Sequence, residues 1–253
     1  MIKVLELFSG TETISNAFRK RGCECFTVDW NEIFPSSLHC NIANLKTEDL
    51  PEEFQHPDII YAAPDHKTYS LSAIQKHRKK DPKTGALEPI SEDAINADNA
   101  SIRMVELIKE MQPKIWWIEA PRACFQKMPW MKPLEKYKHV ITYCRYMQEL
   151  PKEARKQRVT NIWTNIPNPG LLPPCMRKSD CHPSTPRGSK KTGPQGMMGD
   201  ILRTTYPKAL TEAIVNISMD YLQKFEEELD DETHVKGATA EANVTSEEQG
   251  RIN

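Results

Sequence analysis

Two apolar segments of the sequence end in residues that could do chemistry. The run Ile59–Ala63 is followed by Pro64, Asp65 and His66, and the run Lys114–Glu119 itself ends in an acid. A histidine can accept or donate a proton near neutral pH, and a carboxylate can orient an amine by accepting its hydrogen bonds. These residue types predict proton-transfer or group-transfer chemistry around Asp65, His66 and Glu119.

A third apolar segment, Ile2–Leu7, is followed by the turn FSGTET and by helical spacing over Ile14–Arg21, which Gly22 ends as a C-cap. A glycine turn after a strand lets backbone N–H groups approach a ligand at a helix N-terminus. The next segment, Cys23–Asp29, alternates like a strand and ends in an acid that could accept hydrogen bonds from ribose hydroxyls. A generic strand-end acid remains the alternative for that position.

The turn lacks the Gly-x-Gly-x-x-Gly pattern that cradles a pyrophosphate. Glu6 could meet the amino group of a methionine moiety, so the segment favours S-adenosylmethionine over a dinucleotide. The predicted cofactor-binding residues are Glu6, Phe8, Ser9, Gly10, Asp29, Trp30, Asn41 and Pro64.

Strand, turn and helix patterns alternate along the first half of the chain. A long helical pattern covers Asp98–Met111 and is followed by the strand-like Lys114–Glu119. Such alternation predicts an α/β fold with a parallel, Rossmann-like sheet covered by helices. Ligands of these sheets bind beyond the carboxyl ends of the strands, and the candidate residues above fall at those ends.

Several segments resemble, in order over residues 1–217, the small phage-type DNA cytosine-5 methyltransferases. They are LELFSGTETISNAF (Leu5–Phe18), Asp29, APDHKTYS (Ala63–Ser70), IEAPR (Ile118–Arg122), Thr142–Tyr146, TNIWTN (Thr160–Asn165) and PRGSKKTGPQG (Pro186–Gly196). The resemblance implies a Rossmann-like S-adenosylmethionine-dependent methyltransferase sheet with a small Pro/Gly-rich recognition region. It also implies S-adenosylmethionine as cofactor and DNA as partner.

The sequence departs from the family pattern at the expected reaction centre. His66 stands where the family has its cysteine nucleophile, Ala120 replaces an asparagine after Glu119, and Asn41 stands where an acid often contacts adenine. A neutral imidazole is a weaker carbon nucleophile than a thiolate, so the usual covalent mechanism is not expected.

Three interpretations remain open at this point. Methyl transfer to an exocyclic nitrogen would need a flipped base but no covalent adduct, with Asp65 or Glu119 orienting the amine and His66 stacking or moving a proton. The chain could instead be a catalytically inactive homologue that acts as a DNA- or protein-binding regulator or decoy. Cytosine-5 chemistry with an unconventional nucleophile ranks last. The predicted catalytic residues are Asp65, His66, Glu119 and Arg158.

A compact group of sulfur and nitrogen ligands lies in a proline-rich segment. Cys175, Cys181 and His182 are close in sequence, and Cys144 could supply the fourth ligand of a tetrahedral zinc site. The resemblance includes cysteines at similar places. Free loop thiols with a surface histidine are the alternative, so a structural zinc is an expectation here.

Basic residues outside the acidic tail predict contacts with DNA. Residues 226–253 hold nine acidic and two basic residues, which leaves 32 basic and 26 acidic residues in the rest of the chain. Phosphate neutralisation supplies most non-specific nucleic-acid affinity. The resemblance implies that Arg158 lies beside the base pocket, with backbone phosphate contact or plain surface charge as the alternatives, and that the loop after Ser70 closes over DNA. The predicted DNA-binding residues are Lys76, Arg78, Lys79, Lys80, Arg187 and Lys190.

The organisation along the chain follows from composition. We expect a S-adenosylmethionine-binding core over residues 1–147, a recognition region over 148–200, a helix over 201–225 that returns to the core, and a disordered acidic tail over 226–253. Seven cysteines in mostly apolar contexts and no long apolar run favour the cytoplasm, with no membrane partner. The resemblance implies that the cell is a bacterial or phage-infected one.

Overall fold

The computed structural model describes residues 1–176, 179–183 and 206–227. The chain divides into the units Met1–Val215 and Asn216–Asn253. The described part of the second unit is helical, and so are residues 208–215 of the first.

The first unit alternates strands and helices along the chain. Its strands are β1 (Lys3–Leu7), β2 (Glu24–Asp29), β3 (Leu38–His39), β4 (Ile59–Ala62), β5 (Arg78–Lys80), β6 (Leu87–Pro89), β7 (Ile115–Pro121), β8 (Lys138–Thr142) and β9 (Val159–Thr164). Its α-helices before residue 208 are α1 (Thr13–Arg19), α2 (Ile74–His77) and α3 (Glu92–Met111). Shorter 3-10 segments cover Ile42–Asn44, Thr47–Asp49, Glu52–Phe54, Lys67–Tyr69, Phe125–Lys127, Pro129–Tyr137, Tyr143–Tyr146 and Lys152–Ala154.

Seven of these strands form one sheet in the order β3-β2-β1-β4-β7-β9-β8. The strands from β3 to β7 are parallel, and β9 runs antiparallel between β7 and β8. The strand order reverses between β1 and β4, which is where a doubly wound sheet opens a crevice for its ligand. The predicted Rossmann-like α/β fold is confirmed, and the switch point predicts where its site lies.

The central strands are buried on both faces, as their apolar runs predict. Every residue of β4 is buried, and Trp117 in β7 has no exposed surface. Three ionisable residues interrupt these apolar strands: Glu6 pairs in register with Tyr61, and Glu119 lies two residues after Trp117. Polar side chains inside buried strands need partners, and they mark the site described below.

Helix α3 begins six residues before the predicted start at Asp98. Ser91 caps it, because its Oγ accepts a hydrogen bond from the Ala94 N–H at 3.2 Å. The helix ends at Met111, and Gln112 takes the left-handed conformation (φ 47°) that closes a helix before a proline. The early start went unrecognised because the first turn, Glu92–Ile95, is mostly polar and exposed.

The later part of the chain contributes to the same sheet. Strand β9 lies within the range 148–200 that was expected to form a recognition region. Residues 208–227 are helical, as the spacing over Tyr206–Phe225 predicts, and the expected acidic tail lies outside the described residues beyond Glu227. No helix within residues 1–176, 179–183 or 206–227 combines the length and apolar character needed to cross a bilayer.

Candidate functional site

A cavity of about 140 Å³ lies at the predicted rim of the sheet. Its walls come from the turn after β1, from the segment after β4, from β7, and from the segment before β9. The lining residues are Glu6, Phe8, Ser9, Gly10, Thr11, Thr13, Phe34, Ala63, Pro64, His66, Glu119, Arg158 and Tyr206. One cavity therefore brings together the cofactor-type turn with His66, Glu119 and Arg158.

The turn after β1 has an unusual backbone. Phe8 (φ 59°), Gly10 (φ 49°) and Glu12 (φ 52°) all take the left-handed conformation. That conformation costs a non-glycine residue about 1 to 2 kcal/mol, so the surrounding contacts must hold it in place. The N–H groups of Ser9, Gly10 and Glu12 are already bonded within the fold, to Val28 O at 3.1 Å, Asp29 Oδ2 at 2.9 Å and Ser9 O at 2.8 Å. The turn therefore presents fewer backbone donors to a ligand than the sequence predicts.

Glu12 takes the place where a second glycine would ease the approach of a ligand, but its side chain points away from the turn. Its carboxylate accepts a hydrogen bond from Thr27 Oγ1 at 2.6 Å and forms an ion pair with Arg19 at 3.0 Å. Glu12 does not line the cavity. The substitution therefore leaves the space above Gly10 open.

Asp29 lies at the end of β2 and holds the turn after β1 through its carboxylate. Its Oδ2 accepts a hydrogen bond from the Gly10 N–H at 2.9 Å, and its Oδ1 accepts one from the Asn31 N–H at 2.8 Å. Each carboxylate oxygen can accept a further hydrogen bond, so two ribose hydroxyls could still be received. The neighbouring Trp30 is 66% exposed and offers a flat surface beside that position.

Asn41 is farther from the cavity than the sequence suggests. It is exposed, and its Oδ1 accepts a hydrogen bond from the Ala43 N–H at 3.0 Å, so it caps the 3-10 segment Ile42–Asn44. Asp29, Trp30 and Asn41 do not line the cavity, whereas Glu6, Phe8, Ser9, Gly10 and Pro64 do. The structure thus separates the eight predicted cofactor residues into a cavity group and a rim group.

Glu6 is a buried acid at the floor of the cavity. Its Oε2 accepts a hydrogen bond from the Ser15 N–H at 2.9 Å. Burial raises the pKa of the Glu6 carboxyl from 4.5 to about 7. A cation beside it would reverse this effect, so Glu6 is suited to receive an ammonium group.

Glu119 is the most heavily hydrogen-bonded acid of the cavity. Its Oε1 accepts a hydrogen bond from the Tyr143 hydroxyl at 3.3 Å, and its Oε2 accepts one from the Tyr206 hydroxyl at 3.1 Å. The Arg158 guanidinium lies 3.8 Å from Oε1 and 4.9 Å from the centre of the Tyr143 ring. These contacts hold the Glu119 carboxylate in one orientation as a hydrogen-bond acceptor.

The two tyrosines stay neutral donors. Burial, followed by the negative charge of Glu119, raises the pKa of Tyr143 and Tyr206 above their usual range. Tyr61 lies edge-on to Tyr206, with ring centres 6.1 Å apart. Sequence reasoning missed all three tyrosines; the only available signal was a tyrosine inside the otherwise apolar run Ile59–Ala63.

His66 faces the cavity, but Asp65 does not. Burial and the nearby charge of Arg158 lower the pKa of His66, which favours the neutral imidazole at pH 7. Asp65 is exposed, and its Oδ1 accepts a hydrogen bond from the Lys67 N–H at 2.9 Å. Of the two acids expected to orient a substrate amine, only Glu119 lines the cavity, and the Asp65 carboxylate caps the turn that follows it.

Ala120 also lies away from the cavity. It is fully buried in β7 and does not contribute to the lining. None of the residues that line the cavity is a cysteine. The family's nucleophile therefore has no substitute thiol there in the described part of the chain.

The predicted zinc ligands converge. The ligand atoms of Cys144, Cys175, Cys181 and His182 all lie within 4.8 Å of one another. The Sγ atoms of Cys144 and Cys175 are 3.1 Å apart, and His182 Nδ1 lies 3.4 Å from Cys175 Sγ and 3.7 Å from Cys181 Sγ. Three thiols and an imidazole are a common donor set for structural zinc, so these residues could hold that metal.

The predicted DNA-binding residues fall into three groups. Lys76, Lys79 and Lys80 are exposed on α2 and β5 and remain a prediction. Arg187 and Lys190 lie outside the described residues.

The prediction that Arg78 contacts DNA is wrong, because this residue is buried. Its side chain is fully buried, where its Nη2 pairs with Asp98 Oδ1 at 2.6 Å and its Nη1 donates to Asp98 Oδ2 at 2.9 Å. It also donates to the Thr68 carbonyl and lies over the Tyr69 ring, 4.1 Å from the centroid. Arg78 therefore anchors the segment after His66 to α3 and is not available to a phosphate.

Comparison with protein-family models finds no match, and neither does comparison with curated proteins. Among solved structures, the chain is similar to an E. coli prophage protein described as a DNA modification methyltransferase, at 16% identity and TM-score 0.44, with 68% of this chain and 51% of that chain covered. It is similar to a Spodoptera frugiperda DNMT2 mutant at 14% identity and TM-score 0.42, covering 65% of this chain and 49% of that chain.

The chain is also similar to the S. pombe Dnmt2 methyltransferase, at 16% identity and TM-score 0.42, with 65% of this chain and 50% of that chain covered. It spans about half the length of each of these three proteins. Likenesses this distant carry no argument about activity, so the function must be argued from the cavity.

Proposed function

We propose that this chain is a S-adenosylmethionine-dependent DNA methyltransferase that transfers the methyl group without a covalent bond between enzyme and base. The observation that carries the proposal is the shared cavity, in which Glu6 and Gly10 of the cofactor-type turn meet His66, Glu119 and Arg158. A cofactor-type turn and a set of base-binding groups have no reason to share one cavity unless their ligands react with each other.

The residues present fit the proposed methyl donor. Glu6 would receive the ammonium group of its methionine part, and Asp29 would receive the ribose hydroxyls beside the exposed Trp30. The cavity of about 140 Å³ is smaller than the roughly 300 to 1000 Å³ of typical ligand pockets, so the adenosine part would lie on the open rim. When bound, this cofactor supplies an activated methyl group.

The other side of the cavity is suited to a base with an exocyclic amine. Glu119, held by Tyr143 and Tyr206, would accept a hydrogen bond from the amine, and Arg158 would donate to a ring acceptor. The amine nitrogen would gain the methyl group as the donor's sulfur–methyl bond breaks, leaving S-adenosylhomocysteine, and it would lose one proton. Neutral His66 lines the same cavity and could accept that proton.

The test is incubation with labelled S-adenosylmethionine and DNA of mixed sequence, followed by mass analysis of the nucleosides. We expect a base methylated on its exocyclic nitrogen, and loss of at least about 100-fold in rate for Glu119→Gln and His66→Ala, the usual scale for a general acid–base residue. Asp65→Asn is the matched control, because Asp65 lies outside the cavity; it should keep near-normal activity. Methylated cytosine carbon in the wild-type product would refute the non-covalent route.

A second candidate is a catalytically inactive homologue that binds DNA or protein. The observation that favours it is the absence of a thiol among the lining residues of the cavity. Calorimetric titration with S-adenosylhomocysteine separates the two, because a pure DNA binder needs no cofactor pocket. Binding that Glu6→Ala and Asp29→Ala both abolish would support the enzyme; no binding together with no product would leave the inactive homologue.

A further inference from the structure

The cluster of Cys144, Cys175, Cys181 and His182 includes one residue, Cys144, that follows directly on a residue supporting the cavity. Tyr143, which donates to Glu119, immediately precedes Cys144. The Tyr143 N–H also donates to the Arg158 carbonyl at 3.0 Å. One of the four ligands, Cys144, therefore adjoins a hydrogen-bonded pair of residues that contact Glu119.

We propose that these four residues bind one zinc ion, and that this ion holds Tyr143 and Arg158 in place against Glu119. In tetrahedral zinc–thiolate geometry with bonds of about 2.3 Å, ligand atoms lie roughly 3.8 Å apart. The observed separations of 3.4 and 3.7 Å from His182 to two sulfur atoms are close to that value, and the 3.1 Å between Cys144 and Cys175 is shorter. A central ion would have to widen this last distance.

Cys144 lies in a buried segment, whereas the other three ligands lie in a segment that buries little apolar surface. Cys144 lies in the 3-10 segment Tyr143–Tyr146, whereas Cys175, Cys181 and His182 lie in irregular chain. The aliphatic side chains of residues 171–176 are two leucines at the start and Met176 at the end, and Met176 is 83% exposed. A loop with so little buried apolar surface needs a covalent or metal link to stay ordered.

Hydrogen bonds connect the cluster to the chain segments on either side of it. The Cys175 N–H donates to Thr142 Oγ1 at 2.9 Å, and Gln148 Nε2 donates to the Cys144 carbonyl at 2.6 Å. Arg155 donates to the carbonyl oxygens of Cys181 at 3.5 Å and Gln148 at 2.9 Å. The segments before β9 and after β8 are thus tied to the cluster on both sides.

Zinc binding is tested by metal analysis of the full chain purified under reducing conditions. We expect about one zinc per chain, and less than about 0.2 for Cys175→Ser. Cys40→Ser is the matched control, since Cys40 is also half-buried and belongs to no ligand cluster; it should keep the metal. Replacing the zinc of the wild-type chain by Co²⁺ should give the thiolate charge-transfer and visible bands of tetrahedral cobalt. This measurement tests the site even if a cysteine variant folds poorly. Metal-free protein, or a disulfide between Cys144 and Cys175, would overturn the site.

The link to the cavity is tested by hydrogen–deuterium exchange of wild-type protein with and without a chelator. Removing zinc should speed exchange at least about 10-fold at the Tyr143 amide and leave β1 unchanged, because β1 lies in the sheet centre. This readout needs neither cofactor nor DNA, so it does not depend on the proposed methyl transfer. Loss of zinc without faster exchange at Tyr143 would show that the ion orders only its own loop.

Discussion

The buried ion pair of Arg78 and Asp98 gives the sharpest stability prediction. The Arg78 side chain has no exposed surface and Asp98 accepts three hydrogen bonds, two from Arg78 and one from the Tyr69 hydroxyl at 2.7 Å. Asp98→Ala would leave a buried guanidinium without its counter-charge and a buried hydroxyl without its acceptor. Removal of one partner of such a pair costs about 3 to 5 kcal/mol.

The assay is equilibrium unfolding by urea or heat. For a chain of this size a loss of 3 to 5 kcal/mol lowers the melting temperature by about 6 to 20 °C. Glu106→Ala is the control, because its 3.4 Å pair with Arg103 is exposed and such pairs contribute about 1 kcal/mol or less. Arg78→Met combined with Asp98→Leu should recover most of the lost stability, since apolar residues of similar volume replace buried ion pairs at little cost.

A loss below about 1 kcal/mol for Asp98→Ala would refute the reasoning, because it would mean that water reaches the Arg78 guanidinium. The consequence reaches beyond stability. Arg78 also donates to Thr68 Oγ1 at 3.2 Å, two residues after His66. We therefore expect the segment that carries His66 to exchange its amides faster in the variant.

Three further predictions concern the cavity and the surface. Glu6 has a raised pKa of about 7, so the folded chain binds more protons than the unfolded chain between pH 4.5 and 7, and this group costs about 3 kcal/mol of stability once the pH exceeds 7. Glu6→Gln should therefore be more stable than wild type at pH 8 and equal to it near pH 4.5 in urea unfolding; equal stability at both would contradict the buried carboxylate. If Lys79 and Lys80 contact phosphates, changing both to Gln should reduce the slope of log affinity for duplex DNA against log salt by up to about 1.8, whereas Lys20→Gln should not change it. Gly22→Ala should cost about 1 kcal/mol, because Gly22 has φ 80° and open space around it, so only the backbone penalty remains; thermal unfolding measures this loss.

The sequence by itself determined the central strands and the edge of the sheet at which their polar residues lie. The runs that became β1, β2, β4 and β7 are apolar because both faces of a parallel sheet are buried, and this pattern is local. The acids and the histidine at their ends therefore predicted a common site, since parallel strands present their carboxyl ends on one edge. The four zinc-type ligands were also recognisable from residue type and spacing.

Only the tertiary structure decided which of those residues face the cavity. Asp65 and His66 are neighbours in sequence, yet one side chain caps a turn and the other lines the cavity, because the local backbone turns between them. Arg78 belongs to a run of basic residues but is paired with an acid on a helix that begins fourteen residues later, which no local pattern reveals.

The tyrosines that hold Glu119 show the same limit. Tyr143 and Tyr206 come from segments 24 and 87 residues away from Glu119, and nothing in their sequence neighbourhood distinguishes them from core tyrosines. Tyr143 follows β8, which pairs with β9, and β9 in turn pairs with the strand β7 that carries Glu119. Residue type and periodicity identify strands and candidate groups, whereas hydrogen bonds between distant segments depend on how the chain packs.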